Sequence, residues 1–377
     1  MRAVKWAAQQ NANSLAGHSS LNTLLSRGPT MRRATTPRIA LALVCILAGI
    51  AGLTALGPSQ QRAAAFTFNK IADNVYFAVG TGALTVFCNA AIIINENDVL
   101  LVDTHVSPDA AQALLTELKS ITNKPVRYVV NTHYHFDHSS GNQIYGPNVE
   151  IIGHDFTREK LTDGSSLRGA GYERYIGTVP GTIARLQKQR DTTTDAAAKA
   201  TLNQRIAAQE EFKRQTDTIR ATPPTVSFDH TMTLYRGGRE IRLYFVGRAH
   251  TGGDVFVFLP KERVLVSGDA LQSGLPFMGD GFFADWPETL EKLKALDFDV
   301  VLPGHGAPFR DRNRITYLQA YMRDFWVKVQ EQKRLGATAE EAARRIDMRS
   351  HAAHFPAITA AGADIDGVRR AYELLGK

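Results

Sequence analysis

Four side chains that can bind a metal ion lie within one short segment, Thr132–His138, directly after an apolar run. In an extended chain, residues two apart point the same way, so His133 and His135 can bind one ion together. Asp137 and His138 follow as the chain turns, and they can face a second ion. The whole chain has 11 histidines, which makes a chance grouping of three so close together improbable. Imidazole and carboxylate donors suit zinc, with iron and manganese as alternatives.

Three glycine-rich turns further along the chain each offer one more donor, and each follows a predicted strand. The turns read AHTGGD around His250, SGDA around Asp269 and PGHG around His305. Glycines beside a donor let the backbone turn tightly and approach an ion closely. A lone histidine or aspartate in such a turn is usually structural. In this order after the first segment, however, the three turns strengthen the case for a metal centre.

The series THYHFDH, AHTGGD, SGDA and PGHG resembles the metallo-β-lactamase superfamily over roughly residues 70–310. The resemblance implies a four-layer αβ/βα sandwich of two mixed β-sheets with outer helices, and a dinuclear site like that of glyoxalase II at one edge between the sheets. It implies three ligands for a first ion, three for a second and one that bridges both: His133, His135 and His250; Asp137, His138 and His305; and Asp269.

The resemblance also gives a supporting role to Asp103, in the motif LVDT. Ligand histidines usually need a hydrogen-bond acceptor behind them, and Asp103 matches such a residue. The alternative for Asp103 is a plain turn residue at the end of a strand.

Two close divalent ions imply hydrolysis without a serine or cysteine nucleophile. They lower the pKa of a shared water from about 16 toward about 7, which supplies a bridging hydroxide at neutral pH. We expect this hydroxide to attack a carbonyl that the first ion polarises, while the second ion stabilises the leaving group. Asp137 is expected to orient the hydroxide and to pass a proton.

Asp269 bears on the substrate, because β-lactamases of the superfamily usually lack a bridging aspartate. The chain is therefore closer to glyoxalase-II-like and lactonase-like hydrolases. We expect a small-molecule carbonyl substrate (an ester, thioester, lactone or amide), with cleavage of a β-lactam ring as the alternative. A redox di-iron protein fits less well, because such relatives usually have glutamate in place of the second histidine and often carry a flavin domain. A catalytically silent scaffold is also disfavoured, because degenerate members generally lose ligands first.

The segment Leu275–Trp286 follows Asp269 closely and is rich in glycine and aromatic residues. Such a composition is typical of a loop that lines an apolar pocket. The predicted pocket residues are Phe277, Met278, Phe282, Phe283 and Trp286. Packing beneath the following helix is the alternative for some of them. The loop Gly80–Thr85 is a candidate for the opposite rim.

Strand and helix patterns divide the body of the chain into two similar halves, which indicates two packed sheets with helices outside them. Ser107 and Pro108 predict a helix start. Residues 156–222 form a predicted helical insertion, interrupted near Thr192–Thr194. Residues 66–310 are the predicted catalytic domain and residues 311–377 a helical extension, in which Thr338 opens a capping box.

The formal net charge of +7 arises wholly from the first 65 residues, which hold seven basic residues and no aspartate or glutamate. Residues 66–377 carry equal numbers of basic and acidic side chains. A neutral body offers no broad basic surface for phosphates, so we expect no nucleic-acid partner. The composition does not indicate an oligomeric state.

The basic N-terminus is typical of a targeting segment. Arg32, Arg33 and Arg38 precede the uncharged apolar run Ile39–Leu56, and the small residues Ala63–Ala65 follow it. This order predicts a secretory signal peptide in residues 1–65. An uncleaved membrane anchor is the alternative, because the run approaches the roughly 20 residues that span a bilayer.

Either role for the N-terminal segment predicts export to the periplasm or the outside, with membrane contact only through residues 39–56. Translation from Met31 would give a signal peptide of ordinary length, so Met1 and Met31 are both candidate starts. The mature chain would then hold a single cysteine, Cys88, which excludes an intramolecular disulfide and a cysteine metal cluster. We expect Cys88 to be a small buried apolar residue.

Overall fold

The computed structural model describes residues 63–376, and two β-sheets form the centre of this part of the chain. The predicted signal peptide or anchor, with its apolar run Ile39–Leu56, lies outside the described residues. Within residues 63–376, no helix has the length and apolar character needed to cross a membrane.

The first sheet has seven strands that neighbour one another in chain order. Strands β1 to β4 pair antiparallel through short turns, and β4 to β7 pair parallel through helical crossovers. The turn before β4 is closed by Asn95, whose side-chain amide donates to Asp98 over 2.8 Å. The strands are β1 (Phe66–Ala72), β2 (Val75–Gly80), β3 (Ala90–Ile94), β4 (Val99–Val102), β5 (Val126–Val130), β6 (Glu150–His154) and β7 (Val226–Phe228).

The second sheet has five strands, again neighbouring in chain order. The first four pair antiparallel, and the last pair is parallel. Gly237 and Gly238 join the first two strands, and both adopt the positive φ that a tight hairpin needs. The strands are β8 (Thr231–Arg236), β9 (Arg239–Tyr244), β10 (Phe256–Leu259), β11 (Val264–Gly268) and β12 (Val300–Pro303).

Helices connect the strands and extend the chain beyond them. Ser107 caps the first helix and Pro108 occupies its first turn, as predicted, and Thr338 and Glu341 form the predicted capping box. The helices are α1 (Pro108–Glu117), α2 (Phe136–Ser139), α3 (Asp155–Thr162), α4 (Ala170–Tyr172), α5 (Val179–Thr192), α6 (Ala196–Thr216), α7 (Trp286–Leu293), α8 (Asn313–Arg334), α9 (Ala339–Arg345) and α10 (Ile365–Gly376). A single π-helical turn, Glu173–Gly177, follows α4.

Three apolar cores define the layers of the fold. The central core lies between the sheets and contains Phe77 and Ile93 from the first sheet and Leu243 and Val257 from the second. A second core joins the outer face of the first sheet to α1 and the inserted helices. A third core joins the outer face of the second sheet to α7, α8, α9 and α10. The layers are therefore helix, sheet, sheet and helix, which confirms the predicted αβ/βα sandwich.

Helices α3 to α6 occupy the segment predicted as an insertion. The break between the two long helices falls at residues 193–195, beside the predicted Thr192–Thr194, and Asp195 caps α6. Ile176, Val179 and Phe212 anchor this segment on the first sheet. The insertion therefore forms part of the outer helical layer of the first half.

Candidate metal centre

The candidate ligands meet at one edge of the sandwich because they follow the carboxyl ends of strands. Asp103 follows β4, and the segment from Thr132 to His138 follows β5. On the second sheet, Asp269 follows β11 and His305 follows β12, and these two strands are parallel neighbours. Parallel neighbouring strands end at the same edge of a sheet, which brings distant parts of the chain together.

The first group of donors consists of three histidine nitrogens. Nδ1 of His135 lies 3.0 Å from Nε2 of His133 and 3.0 Å from Nε2 of His250. Burial lowers the pKa of His133 well below its usual value and lowers that of His250 to about 3, so both rings are neutral. Neutral imidazoles with converging nitrogens are the usual donors to a zinc ion.

The second group contains two histidines and two carboxylates. Nε2 of His305 lies 3.1 Å from Oδ2 of Asp137 and 3.3 Å from Oδ2 of Asp269. Nε2 of His138 lies 3.4 Å from Oδ1 of Asp269. The Asp269 carboxylate also lies 3.6 Å from Nε2 of His250. Asp269 therefore stands between the two groups, as a bridging ligand must.

The second group already carries paired charges. Burial opposes a charged imidazole at His305, but the carboxylates of Asp269 and Asp137 outweigh it and raise the pKa of His305 to about 10. Burial likewise opposes ionisation of Asp137, yet His138 and His305 lower its pKa to about 2. Protonated histidine rings therefore carry the positive charge that balances the carboxylates of this group.

These donors fit two divalent cations. Three sets of three donor atoms lie within 4.8 Å of one another, and the sets share His133 and His138. Oδ1 of Asp269 is buried and accepts no hydrogen bond of good geometry within the described residues, with Nε2 of His138 at 3.4 Å. A buried carboxylate oxygen in this state is costly unless a cation approaches it. The structure thus brings together all seven residues that the sequence singled out.

Asp103 lies behind the second group. Its Oδ2 accepts a hydrogen bond of 2.8 Å from Nδ1 of His138, and its Oδ1 accepts one of 2.8 Å from the backbone of Thr132. Its backbone lies in the left-handed region, with a φ of 67°. This conformation turns the chain at the end of β4 and leaves Nε2 of His138 free to face the centre.

Comparison with known families decides the identity of the fold. A model of the metallo-β-lactamase superfamily matches residues 84–148 and 196–305. The chain belongs to the metallo-β-lactamase superfamily. The matched residues include every donor described above, whereas residues 149–195, which hold β6 and the first part of the insertion, lie outside the match.

Individual members of the superfamily are distant from this chain. A linear primary-alkylsulfatase from a Pseudomonas species is 24% identical over 274 residues, which are 68% of this chain and 49% of that protein. The chain therefore spans about half the length of this curated relative. A metallo-β-lactamase from Pontibacter korlensis is 19% identical, with a TM-score of 0.49 over 68% of this chain and 99% of that one. The DIM-1 metallo-β-lactamase is 17% identical, with a TM-score of 0.48 over 68% of this chain and 97% of that one.

Asp280 lies at the first group of this superfamily member, although sequence reasoning did not select it. Its Oδ2 accepts a hydrogen bond of 3.0 Å from Nε2 of His135, 145 positions earlier in the chain. This contact leaves Nδ1 of His135 as the ligating nitrogen. The one signal in the sequence was that Asp280 stands between Gly279 and Gly281, as His305 stands between two glycines.

Of the five predicted pocket residues, only Phe277 both lies beside the candidate metal centre and has a partly exposed ring. The ring of Phe277 is half-buried, 6.0 Å from the ring of His135 and 6.5 Å from that of His250. The prediction of a pocket role was wrong for Met278, Phe283 and Trp286, whose side chains are at most 1% exposed and pack in the outer core of the second sheet.

The burial of these three side chains follows from the position of the loop before α7. The segment leads directly into α7, so its apolar side chains cover the sheet beneath that helix. Trp286 lies 5.8 Å from the ring of His250, but its indole nitrogen donates to the carbonyl of Ala270 and its ring is enclosed. The ring of Phe282 lies instead beside the guanidinium groups of Arg248 and Arg370.

Cys88 is buried and free, as expected. Its sulfur lies 3.5 Å from Nδ1 of His105, and burial raises the pKa of its thiol well above the usual value. The thiol is therefore protonated and does not serve as a nucleophile or ligand.

Proposed function

We propose that this chain is a zinc-dependent hydrolase that cleaves an ester, thioester, lactone or amide, with iron or manganese as alternative metals. One observation carries the proposal. Two groups of donors, one of three imidazoles and one rich in carboxylate, share the carboxylate of Asp269. This donor set suits two divalent cations held close together.

When bound, two such ions would acidify a shared water and polarise a carbonyl oxygen. The chain would hold a first ion through His133, His135 and His250, and a second through Asp137, His138 and His305. Asp269 would supply carboxylate oxygen to both groups. Asp103 and Asp280 fix the rings of His138 and His135 from behind through their other nitrogens.

Asp137 is the candidate for moving a proton. Its side chain is 12% exposed and that of His305 is 25% exposed, whereas His133 and His250 are fully enclosed. Since the side chain of His135 is also 10% exposed, substrate and water can reach the centre at His135 and at the second group. At the second group, Asp137 can orient the attacking water and accept its proton. No serine or cysteine nucleophile is required.

Cleavage of a β-lactam ring is the alternative reaction, and the bridging position of Asp269 argues against it. Because one relative is named a linear primary-alkylsulfatase, a sulfate ester is included among the substrates to be tested. A small molecule remains the expected partner. The balanced charge of residues 66–377 supports the absence of a nucleic-acid partner.

We also propose that the chain is exported and that its leader is removed after Ala65. Glu117 supports this cleavage point. Its two carboxylate oxygens accept hydrogen bonds from the backbone nitrogens of Ala65 and Phe66, over 2.7 and 3.0 Å. Cleavage would place the new amino group of Phe66 beside this carboxylate as an ion pair. Retention of residues 39–56 as a membrane anchor is the alternative.

The proposed reaction is tested with the exported protein, purified and loaded with zinc. The substrates are a nitrophenyl ester, a homoserine lactone, a glutathione thioester, a chromogenic cephalosporin and a linear alkyl sulfate. We expect chelator-sensitive turnover of the ester, thioester or lactone, and its loss in Asp269→Ala. Fast turnover of the cephalosporin alone would favour the β-lactamase alternative. Full activity after complete removal of metal would overturn the proposal.

A further inference from the structure

A row of three aromatic rings leads away from the candidate metal centre. The ring of Phe277 adjoins His135 at 6.0 Å, the ring of Tyr175 lies 6.5 Å from that of Phe277, and Phe87 lies 6.0 Å from Tyr175. We call Phe87, Tyr175 and Phe277 the ring wall. Phe277 and Tyr175 are half-buried, and Phe87 is 40% exposed. The ring wall thus presents apolar surface to solvent beside buried ligands.

The backbone of Phe87 is strained, and the strain favours a role for this residue in ligand binding. Its φ is 53°, in the left-handed region that bulky residues rarely adopt. The surrounding rings of Phe136 and Phe212, at 6.2 and 5.2 Å, hold it there. Strain of this kind costs about 1–3 kcal/mol and tends to persist at ligand sites. An exposed phenylalanine held at such a cost points to a binding surface.

Tyr175 reaches the ring wall through the π-helical turn Glu173–Gly177 of the insertion. Such turns are rare, and they occur frequently at functional sites because they redirect side chains. Arg174 of the same turn is bound by the C-terminal extension: its Nη1 lies 2.9 Å from Oδ2 of Asp364 and 2.6 Å from Oδ2 of Asp366. Both segments lie outside the residues that match the superfamily model. The middle ring of the wall, Tyr175, therefore comes from a segment outside the match, whereas Phe87 and Phe277 lie within it.

The charge beside the ring wall is already neutralised. The Arg174 guanidinium lies 5.9 Å from the ring of Phe277, where it would otherwise attract an anionic substrate. Its partners Asp364 and Asp366 cancel that attraction, and Asp366 also lies 3.8 Å from Nη1 of Arg369, so that two cations face two carboxylates. Burial, more than any nearby charge, raises the pKa of Tyr175 to about 12, so its phenol is also uncharged. A substrate group on this wall meets neutral apolar surface.

We infer that the ring wall binds an uncharged apolar, preferably aromatic, acyl group of the substrate. The inference rests on the proposed function and narrows it to neutral esters, lactones or amides. Substrates that carry a carboxylate beside the reacting carbonyl, such as β-lactam antibiotics, are disfavoured. So are glutathione thioesters, which carry two carboxylates.

The test compares three nitrophenyl esters that differ only in the acyl group: acetyl, phenylacetyl and succinyl. The wild-type ratio of kcat/KM for phenylacetyl over acetyl is expected to be about tenfold or more, because one apolar group in a fitted site discriminates by that order. The succinyl ester is expected to be the poorest of the three. In Phe277→Ala and Tyr175→Ala the phenylacetyl to acetyl ratio falls toward one. Phe282→Ala, a substitution in the same loop away from the ring wall, keeps the wild-type ratio.

Binding provides a readout that does not depend on hydrolysis. The probe is phenylacetamide, a neutral aromatic amide, followed by ligand-observed NMR with acetamide as its non-aromatic counterpart. We expect saturable binding of phenylacetamide to the wild type and to Phe282→Ala, and its loss in Phe277→Ala. Far-UV circular dichroism checks that each variant is folded, and Phe277→Leu replaces Phe277→Ala if the latter is not.

The outcomes separate the two proposals. Absence of chelator-sensitive turnover of the ester, the thioester and the lactone, together with phenylacetamide binding that needs Phe277, contradicts the proposed function and supports the ring wall. Chelator-sensitive hydrolysis with a phenylacetyl to acetyl ratio near one in the wild type overturns the ring-wall inference alone. A wild type that does not bind phenylacetamide also overturns it, whatever the hydrolysis result.

Discussion

Nε2 of His135 lies 3.0 Å from Oδ2 of Asp280. Asp280 belongs to the loop that carries Phe277, so one hydrogen bond joins a candidate metal ligand to the loop beside the substrate. Burial opposes ionisation of Asp280, but His135 keeps its pKa below the usual value, and the carboxylate stays charged.

Substituting Asp280 should weaken metal binding. Asp280→Ala frees the His135 ring to rotate and to change tautomer, so we expect the first ion to bind about 10–100-fold more weakly. Competition with a chromophoric zinc chelator measures the affinity. Asp285→Ala is the matched control, because Asp285 lies in the same loop and pairs with Arg248. Equal zinc affinities in both variants and the wild type would show that Asp280 has no such role.

Asp103 should contribute to the stability of the metal-free protein. Asp103→Ala leaves two buried donors without an acceptor, the backbone nitrogen of Thr132 and Nδ1 of His138, and we expect a loss of about 1–3 kcal/mol for each. Asp103→Asn should cost less, because asparagine tolerates a positive φ and retains one acceptor oxygen. Urea unfolding gives the free energies. Asp73→Ala, at an exposed aspartate, serves as the control, and a loss at Asp103 no larger than this control would refute the prediction.

Binding of the second ion should release protons. In the metal-free protein the pKa of His305 is raised to about 10 by Asp269 and Asp137 against the effect of burial, so His305 is protonated at pH 7.5. A metal needs the neutral ring, so zinc affinity should rise about tenfold per pH unit for each proton displaced, up to about pH 10. Asp137, with a pKa of about 2, is already ionised and adds no proton.

Titration calorimetry at pH 7.5 in two buffers of different protonation enthalpy measures the protons released. His305→Ala should reduce the number by about one. Heats that are identical in the two buffers would contradict the assignment of His305 as a ligand that must lose a proton.

Phe283 should act on stability and not on substrate binding. Its side chain is 1% exposed and its ring lies 4.9 Å from that of Phe325. Phe283→Ala is expected to cost about 3–5 kcal/mol in unfolding free energy, because it leaves a cavity in the outer core. Phe277→Ala, at a half-buried position, should cost less. Denaturant unfolding of the two variants measures their free energies of unfolding. A smaller loss in Phe283→Ala than in Phe277→Ala would contradict the burial pattern.

The exported protein should begin at Phe66. Intact mass and N-terminal sequencing of material from the periplasm or medium measure the start directly. Glu117→Gln should destabilise this mature form by about 1–3 kcal/mol, because it removes a charged partner from the new amino group. A chain that retains residues 39–56 and fractionates with the membrane would instead support the anchor.

The sequence predicted most of the centre because its donors are local or stand in glycine-rich turns. His133, His135, Asp137 and His138 share one segment, and the resemblance to the superfamily supplied His250, Asp269 and His305. The layered fold followed from alternating strand and helix patterns. Each of these signals is short in range and does not depend on how distant segments pack.

The features that the sequence did not reveal depend on long-range packing. Asp280 meets His135 across 145 positions, and Tyr175 reaches Phe277 only through the π-helical turn. In the aromatic loop, composition could not separate Phe277 from Phe283, because both are large and apolar. Only the fold determines which ring covers the sheet and which faces the centre.

Zinc content tests the central claim most directly. The exported protein, saturated with zinc and then freed of loosely bound metal, is measured by inductively coupled plasma mass spectrometry against protein concentration. The two groups of donors joined by Asp269 predict about two zinc ions per chain and fewer in Asp269→Ala. A wild-type protein that is folded yet retains no zinc, iron or manganese would contradict the account.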